Sequence, residues 1–284
     1  MISYHNQTDP IVASCPINKG HPLAQGMTAF WYSVPQQAGG DWFDLVSGLK
    51  AHIRTTSGPS RSPSTMPGHS SDFSFSGANQ IRLDIGIVPQ LALTGEVTTL
   101  ACVNSPNWTS PAAPYVFGDA IGQWAYGTSS SKLRCVWNNA AFGTGATTLS
   151  ANRWYMLGGV RYGSTGSWHA ESWVGDYQTN VLKLDGSGST ATNPLAVTAN
   201  GYCIGHDGDD SLTSTYFNGH IASVAVWTRR LLAPEIGWWY ANAPRGFPGL
   251  INRISSALFA IQAAASEVEL MESRIMIAGN LCGV

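Results

Sequence analysis

The densest group of ionisable side chains in this 284-residue chain is His206-Asp207-Gly208-Asp209-Asp210. Carboxylates packed this closely can supply the oxygen ligands that calcium requires. The spacing is not that of an EF-hand, and Asp-Gly is also a favoured turn pair. Two readings therefore stand: a plain turn, or a calcium loop with Asp207, Asp209 and Asp210 as ligands. Nothing in the chain points to any cofactor besides calcium.

Glu171 and Asp176 are the pair to weigh for glycoside cleavage, which needs two carboxylates facing one bond. Five residues apart on a strand, they point to opposite faces, with Trp173 between them. The seven histidines are scattered, and neither His-Glu-x-x-His nor Gly-x-Ser-x-Gly occurs. These residues predict no enzyme. Aromatic rings offer a different chemistry, because a flat ring stacks on a sugar face while its polar tip finds a hydrogen bond. Among the 11 tryptophans, Trp108, Trp124, Trp168 and Trp173 lie near Gly-, Ser- and Asn-rich turns and are the candidate sugar platforms.

The composition says what must position such groups. Hydrophobic residues make up 44% of the chain, and charged residues only 11%, against about 25% in an average globular protein. With 31 Gly and 15 Pro, this is a turn-rich β-protein with a weakly charged surface. The net charge of −2 and the lack of a Lys/Arg run argue against nucleic acid or anionic membrane as partners. No apolar run is long enough to span a bilayer. Residues 1–16 lack a basic start followed by an apolar stretch, so no secretory signal is expected. The five cysteines are odd in number and widely spaced, which predicts buried free thiols rather than a disulfide framework.

Short apolar runs separated by turn residues recur along the chain. Met27–Tyr32, Phe73–Phe75, Val97–Val103, Tyr115–Gly118, Gly122–Tyr126, Leu133–Trp137, Trp154–Val160, His169–Val174, Val181–Leu184 and Tyr202–Gly205 read as strands. Val97–Val103 is a largely apolar run and reads as a buried central strand. The Ser- and Pro-rich stretch from Thr55 to Ser71 reads as a surface loop. Near the C-terminal end, Gly219 provides a turn, and Ile221, Val224 and Val226 follow at spacings of three and two. That extra residue predicts a β-bulge which keeps all three on the core face. Pro234 and Glu235 then suit a helix start, with Ile236, Trp239 and Tyr240 on one face.

The closing stretch, Gly219-x-Ile221-x-x-Val224 running into Arg230-Leu231 and Glu235-Ile236, resembles the laminin-G-like branch of the concanavalin A-like lectin/glucanase superfamily. Ala233 stands where that pattern has a helix-capping Ser, a change that weakens the cap by about 1 kcal/mol. Three further points follow the family order: Trp42-Phe43-Asp44-Leu45, the Phe73-to-Leu83 hairpin, and Trp154-Tyr155 opening an apolar strand. The resemblance implies an all-β fold, a two-sheet antiparallel β-sandwich of jelly-roll type with a short C-terminal helix. It also assigns Trp154, Trp227 and Trp239 to the core. The glucanase members carry a Glu-x-Asp-x-x-Glu strand, which is missing here.

The expected organisation is an N-terminal arm over 1–24, the sandwich over 25–248 and a tail over 249–284. In the tail, Leu250, Ile251, Ile254, Leu258 and Ile261 form an apolar stripe at helical spacing. Such a stripe needs a covering surface, which its own domain or a neighbour could supply; a neighbouring subunit or a capsid surface is the one expected. Taken together, these features predict a non-enzymatic phage virion protein, a capsid decoration or appendage. It would be a homo-oligomer that contacts capsid or other virion proteins. The alternative is a glycan-binding module of a bacterial surface or secreted protein; a divergent glycan hydrolase ranks third.

Overall fold

A computed structural model describes residues 17–32, 41–53, 59–69, 71–76, 81–109, 114–119, 122–197, 201–206 and 215–251. Among these, the alternating runs form two antiparallel sheets packed face to face. The first runs in the order β14 (Val181–Thr190), β13 (Ser167–Asp176), β12 (Arg153–Ser164), β7 (Val97–Ser105), β16 (Asn218–Trp227), β5 (Ser71–Ser76) and β4 (Ser60–Pro63). Strand β1 (Met27–Tyr32) pairs with the C-terminal half of β16. The second runs in the order β11 (Ala140–Phe142), β10 (Lys132–Trp137), β9 (Trp124–Ser129), β8 (Tyr115–Asp119), β15 (Tyr202–Ile204), β6 (Leu83–Gly86), β3 (Lys50–Ile53) and β2 (Trp42–Phe43). The chain divides into two compact units, 1–251 and 252–284, and the second lies outside the described residues.

Two hydrophobic cores share the first sheet. Between the sheets lie Trp31, Trp42, Phe73, Phe117, Trp124, Trp137 and Leu157, all fully buried. On the outer face of the first sheet, Phe30, Leu100, Met156 and Trp227 meet α1 (Ala233–Asn242), the one α-helix among the described residues, through Ile236, Trp239 and Tyr240. A strand covered on both faces has no solvent side, which is why Val97–Val103 of β7 is apolar but for Thr98 and Thr99, whose hydroxyls are hydrogen-bonded to Arg229, Leu231 and Trp124. The bulge falls where the spacing placed it, since the register of β16 against β7 slips between Ile221 and Ser223. Ile221, Val224 and Val226 accordingly face the inter-sheet core, while Ala222, Ala225 and Trp227 face the helix.

The structure corrects several expectations. Gly219 lies within β16 rather than in a turn, and a Cβ there would stand 2.1 Å from the Asn104 carbonyl oxygen on β7. The Thr55–Ser71 stretch contains edge strand β4, whose polar residues are tolerated because it pairs on one side only, with β5. Phe73 and Leu83 do not form a hairpin: β5 and β6 belong to different sheets and approach the inter-sheet core from opposite sides. The missing capping Ser is offset as well. The N-cap is Leu232, whose N–H is bound by Glu235 Oε2 at 2.8 Å, and Arg229 holds that carboxylate at 2.6 Å.

The first and last described segments enter the outer core. Ile17, Leu23, Phe247 and Leu250 are buried there, and Ile17 bridges to Ile251. Leu250 is therefore core to its own sandwich rather than free for a neighbour, and Ile251 packs beside it. Ile254, Leu258 and Ile261 lie outside the described residues. The same core is closed by His69, whose ring lies 4.9 Å from Tyr32 and 6.0 Å from Phe247. The Tyr32 hydroxyl donates to the Gly68 carbonyl at 2.6 Å.

Candidate functional site

A cavity of about 390 Å³ opens where the ends of β12, β13 and β14 project past the inter-sheet core. Its apolar floor is Tyr155 and Val174, both core residues, with Val181 at the rim. Around this floor stand the hydroxyls of Thr147, Thr148, Ser150 and Thr179, and the charged side chains of Arg153, Asp176 and Lys183. A volume of this order is typical of small-ligand sites, which combine apolar walls with a few placed polar groups.

Each wall is fixed by a local device. Asp176 ends β13, and its Oδ1 accepts from the backbone N–H of Gln178 and Thr179 at 2.8 and 3.3 Å, shaping the hairpin turn into β14. Its Oδ2 accepts from Arg153 at 3.3 Å, and α1 reaches the same turn when the Tyr240 hydroxyl donates to the Asp176 carbonyl at 2.8 Å. Facing this turn, the 147–150 segment is tied at two places. Buried Asp185 accepts from the N–H and the hydroxyl of Thr147. Ser150 donates its N–H to Tyr155 Oη at 3.0 Å, while its carbonyl accepts from Trp108 Nε1 at 2.9 Å.

Trp108 therefore backs the cavity from inside the core instead of offering a face to a ligand. It is 2% exposed, and its ring contacts Tyr155 and Phe217 edge-on. Trp124 and Trp168 are likewise buried, donating to Thr99 Oγ1 and Asn193 Oδ1. The expectation of exposed platforms fails for these three because Trp124 and Trp168 stand on β9 and β13 facing the inter-sheet core, where the Trp108 ring joins them. Trp173 is half-buried on the outer face of the first sheet, where its Nε1 donates to Glu171 at 3.0 Å. Trp154, expected in the core, is also only half-buried and donates to Thr65.

Glu171 is not a solvated strand residue. It is 7% exposed and ion-paired with Arg230 at 2.5 Å, and Arg230 in turn lies 3.5 Å from the Tyr162 ring. It faces the outer side of the sheet while Asp176 faces the cavity, so the two carboxylates do not converge on one substrate. The acidic loop candidates Asp207, Asp209 and Asp210 lie outside the described residues. Among the described residues, no group of three or more His, Cys, Asp or Glu side chains is placed to hold a metal ion. At the base of that loop, buried His206 stacks on Tyr216 at 4.0 Å and contacts Arg82 at 2.9 Å and Thr215 at 2.7 Å.

The reading by motif missed the cavity because its polar residues are scattered from 147 to 183 and no linear pattern joins them. It also missed Arg161, a fully buried cation held by the carbonyls of Leu93, Gly95 and Gln123 and lying 5.2 to 5.6 Å from the rings of Trp124, Trp137 and Trp168. Burial lowers its pKa to about 10. A lone charge after the apolar run Trp154–Val160 was the available signal.

No family model matches the chain, and no curated protein matches it. Solved structures do. The chain is similar to Trypanosoma rangeli sialidase in complex with sialic acid, at 15% identity and a TM-score of 0.53, over 77% of this chain and 33% of that one. A second Trypanosoma rangeli sialidase structure matches at 14% identity and a TM-score of 0.52, over 82% and 37%. The likeness is one of fold. It supports a two-sheet antiparallel β-sandwich, and the chain spans about a third of the length of these sialidases. The binding domain of Paraclostridial Mosquitocidal Protein 1, at 8% identity and a TM-score of 0.49 over 77% and 52%, is too distant to add to this.

Proposed function

We propose that the chain is a non-enzymatic carbohydrate-binding β-sandwich module. The observation that carries this reading is the cavity at the end of the sandwich, with four hydroxyl side chains and three charged ones around a Tyr155–Val174 floor. Sugars need both kinds of surface: apolar contact for C–H faces and dense donors and acceptors for hydroxyls. One of the similar structures holds sialic acid, which fits a sugar ligand without defining it. The separation of Glu171 from Asp176, each held by its own partners, supports binding without turnover. The capsid-decoration expectation draws on the sequence alone, and nothing in the comparisons favours it.

The test is a glycan array followed by calorimetry, with Thr148→Trp to fill the exposed rim of the cavity without touching the core. Binding that this variant abolishes, with no release of reducing sugar, supports the proposal. An array on which nothing binds, or binding indifferent to Thr148→Trp, would overturn it.

A further inference from the structure

We infer that the sugar this cavity takes carries an acidic group, a carboxylate or a sulfate; this rests on the reading of the cavity as a glycan site. The argument is an accounting of donors and acceptors. Four charged side chains line or back the cavity: Arg153, Lys183, Asp176 and Asp185. Formal charges cancel, but their hydrogen-bonding capacity does not. Asp176 uses one oxygen on two backbone N–H groups of its own turn and the other on Arg153. Asp185, with a side chain 1% exposed, is taken up by Thr147 and by Lys183 at 3.3 Å. Both carboxylates are thus consumed by the scaffold.

The cations are not. Arg153 has five N–H donors, and its one bond among the described residues is the long contact to Asp176 at 3.3 Å. Its side chain is 34% exposed, and that of Lys183, with three donors, is 49% exposed. Exposed pairs of this kind are held weakly, so either cation can turn to a ligand at little cost. The cavity therefore presents unused cationic donors beside hydroxyls and lacks an unused carboxylate. A neutral sugar satisfies the hydroxyls alone, whereas an acidic sugar also engages Arg153 and Lys183 through charge-assisted bonds.

The experiment compares three oligosaccharides of equal length, one neutral, one of uronic acids and one sulfated, against wild type, Arg153→Gln, Lys183→Gln and Thr148→Trp. Thermal melts verify that each variant is folded. We expect at least one acidic ligand to bind about tenfold tighter than the neutral one, with that margin lost in either glutamine variant and eroded at about 0.5 M salt. Preference for the uronic or the sulfated ligand identifies the source of the anion. Equal binding of neutral and acidic sugars, abolished by Thr148→Trp but unaffected by the glutamine variants, would overturn the acidic assignment and leave the module intact. Binding untouched by Thr148→Trp would instead remove the cavity itself.

Discussion

His69 should make this sandwich acid-labile, by an amount that can be worked out beforehand. The imidazole is 6% exposed, wedged against Tyr32 and Phe247 where the second core closes. Burial lowers its pKa from 6.5 to about 4, and the backbone of Ala222 and Ala243 offsets only part of that penalty. The ring is thus neutral in the folded chain at pH values where the unfolded chain would protonate it. Its folded pKa lies below its unfolded one, so the unfolded state binds the extra proton. The contribution to stability is whole above pH 6.5, falls as pH drops towards 4, and is lost below that. A shift of this size amounts to about 3 kcal/mol over the window, with about 2.5 kcal/mol gone by pH 4.5. The assay is urea unfolding at pH 7.5 and about 4.5, for wild type and His69→Gln. Other titrating groups act on both chains and cancel in the double difference. The wild type should lose about 2 to 3 kcal/mol more than the variant on acidification. A double difference within about 0.5 kcal/mol, well under the predicted effect, would refute the reasoning, because it would mean that the buried ring gains a proton without unfolding.

Arg161→Met should cost about 3 to 5 kcal/mol in urea unfolding, because the buried carbonyls of Leu93 and Gln123 and the part-buried one of Gly95 lose their donor together; a cost under about 1 kcal/mol would show that the cation is not needed to satisfy them. Burial raises the thiols of Cys102 and Cys135 to pKa values of about 11 and 12, and Cys203 is equally buried. With Cys15 and Cys282 changed to Ser, a thiol reagent should therefore react with none of the three in the folded protein and with all of them in guanidinium; fast reaction of the folded form would contradict that burial. Deleting Ala222 should leave a soluble, cooperatively melting chain, because Ile221, Val224 and Val226 then stand at a regular spacing of two and keep the core face without a bulge; a deletion variant that fails to fold would refute that reading of the register.

Much of the fold was legible because two kinds of signal agreed. Period-two alternation marked the half-buried strands, and the largely apolar run of β7 marked the strand covered on both faces. The three-then-two spacing of Ile221, Val224 and Val226 placed a bulge to the residue. What could not be read was how strands are distributed between the sheets. Phe73–Phe75 and Leu83–Ile85 alternate as a hairpin would, yet they face one core from opposite sides. Local periodicity reports which face is buried and carries nothing about the partner strand, a long-range choice set by packing.

The site was less legible, for a related physical reason. Eleven tryptophans in a weakly charged chain suggest spare aromatic surface, but a sheet with a core on each face uses a great deal of it. Trp31, Trp42, Trp124 and Trp137 fill one core, and Trp227 and Trp239 fill the other. The rings near flexible-looking turns were drawn inward as well, since an indole buries a large apolar area wherever its N–H finds an acceptor. Trp108 found the Ser150 carbonyl and Trp168 found Asn193. The proposed recognition is therefore left to residues the core cannot use. Threonine, serine, arginine and lysine at strand ends gain little from burial, and the topology gathers them at the open end of the sandwich. In a chain this rich in aromatics, the proposed binding face is where the tryptophans run out.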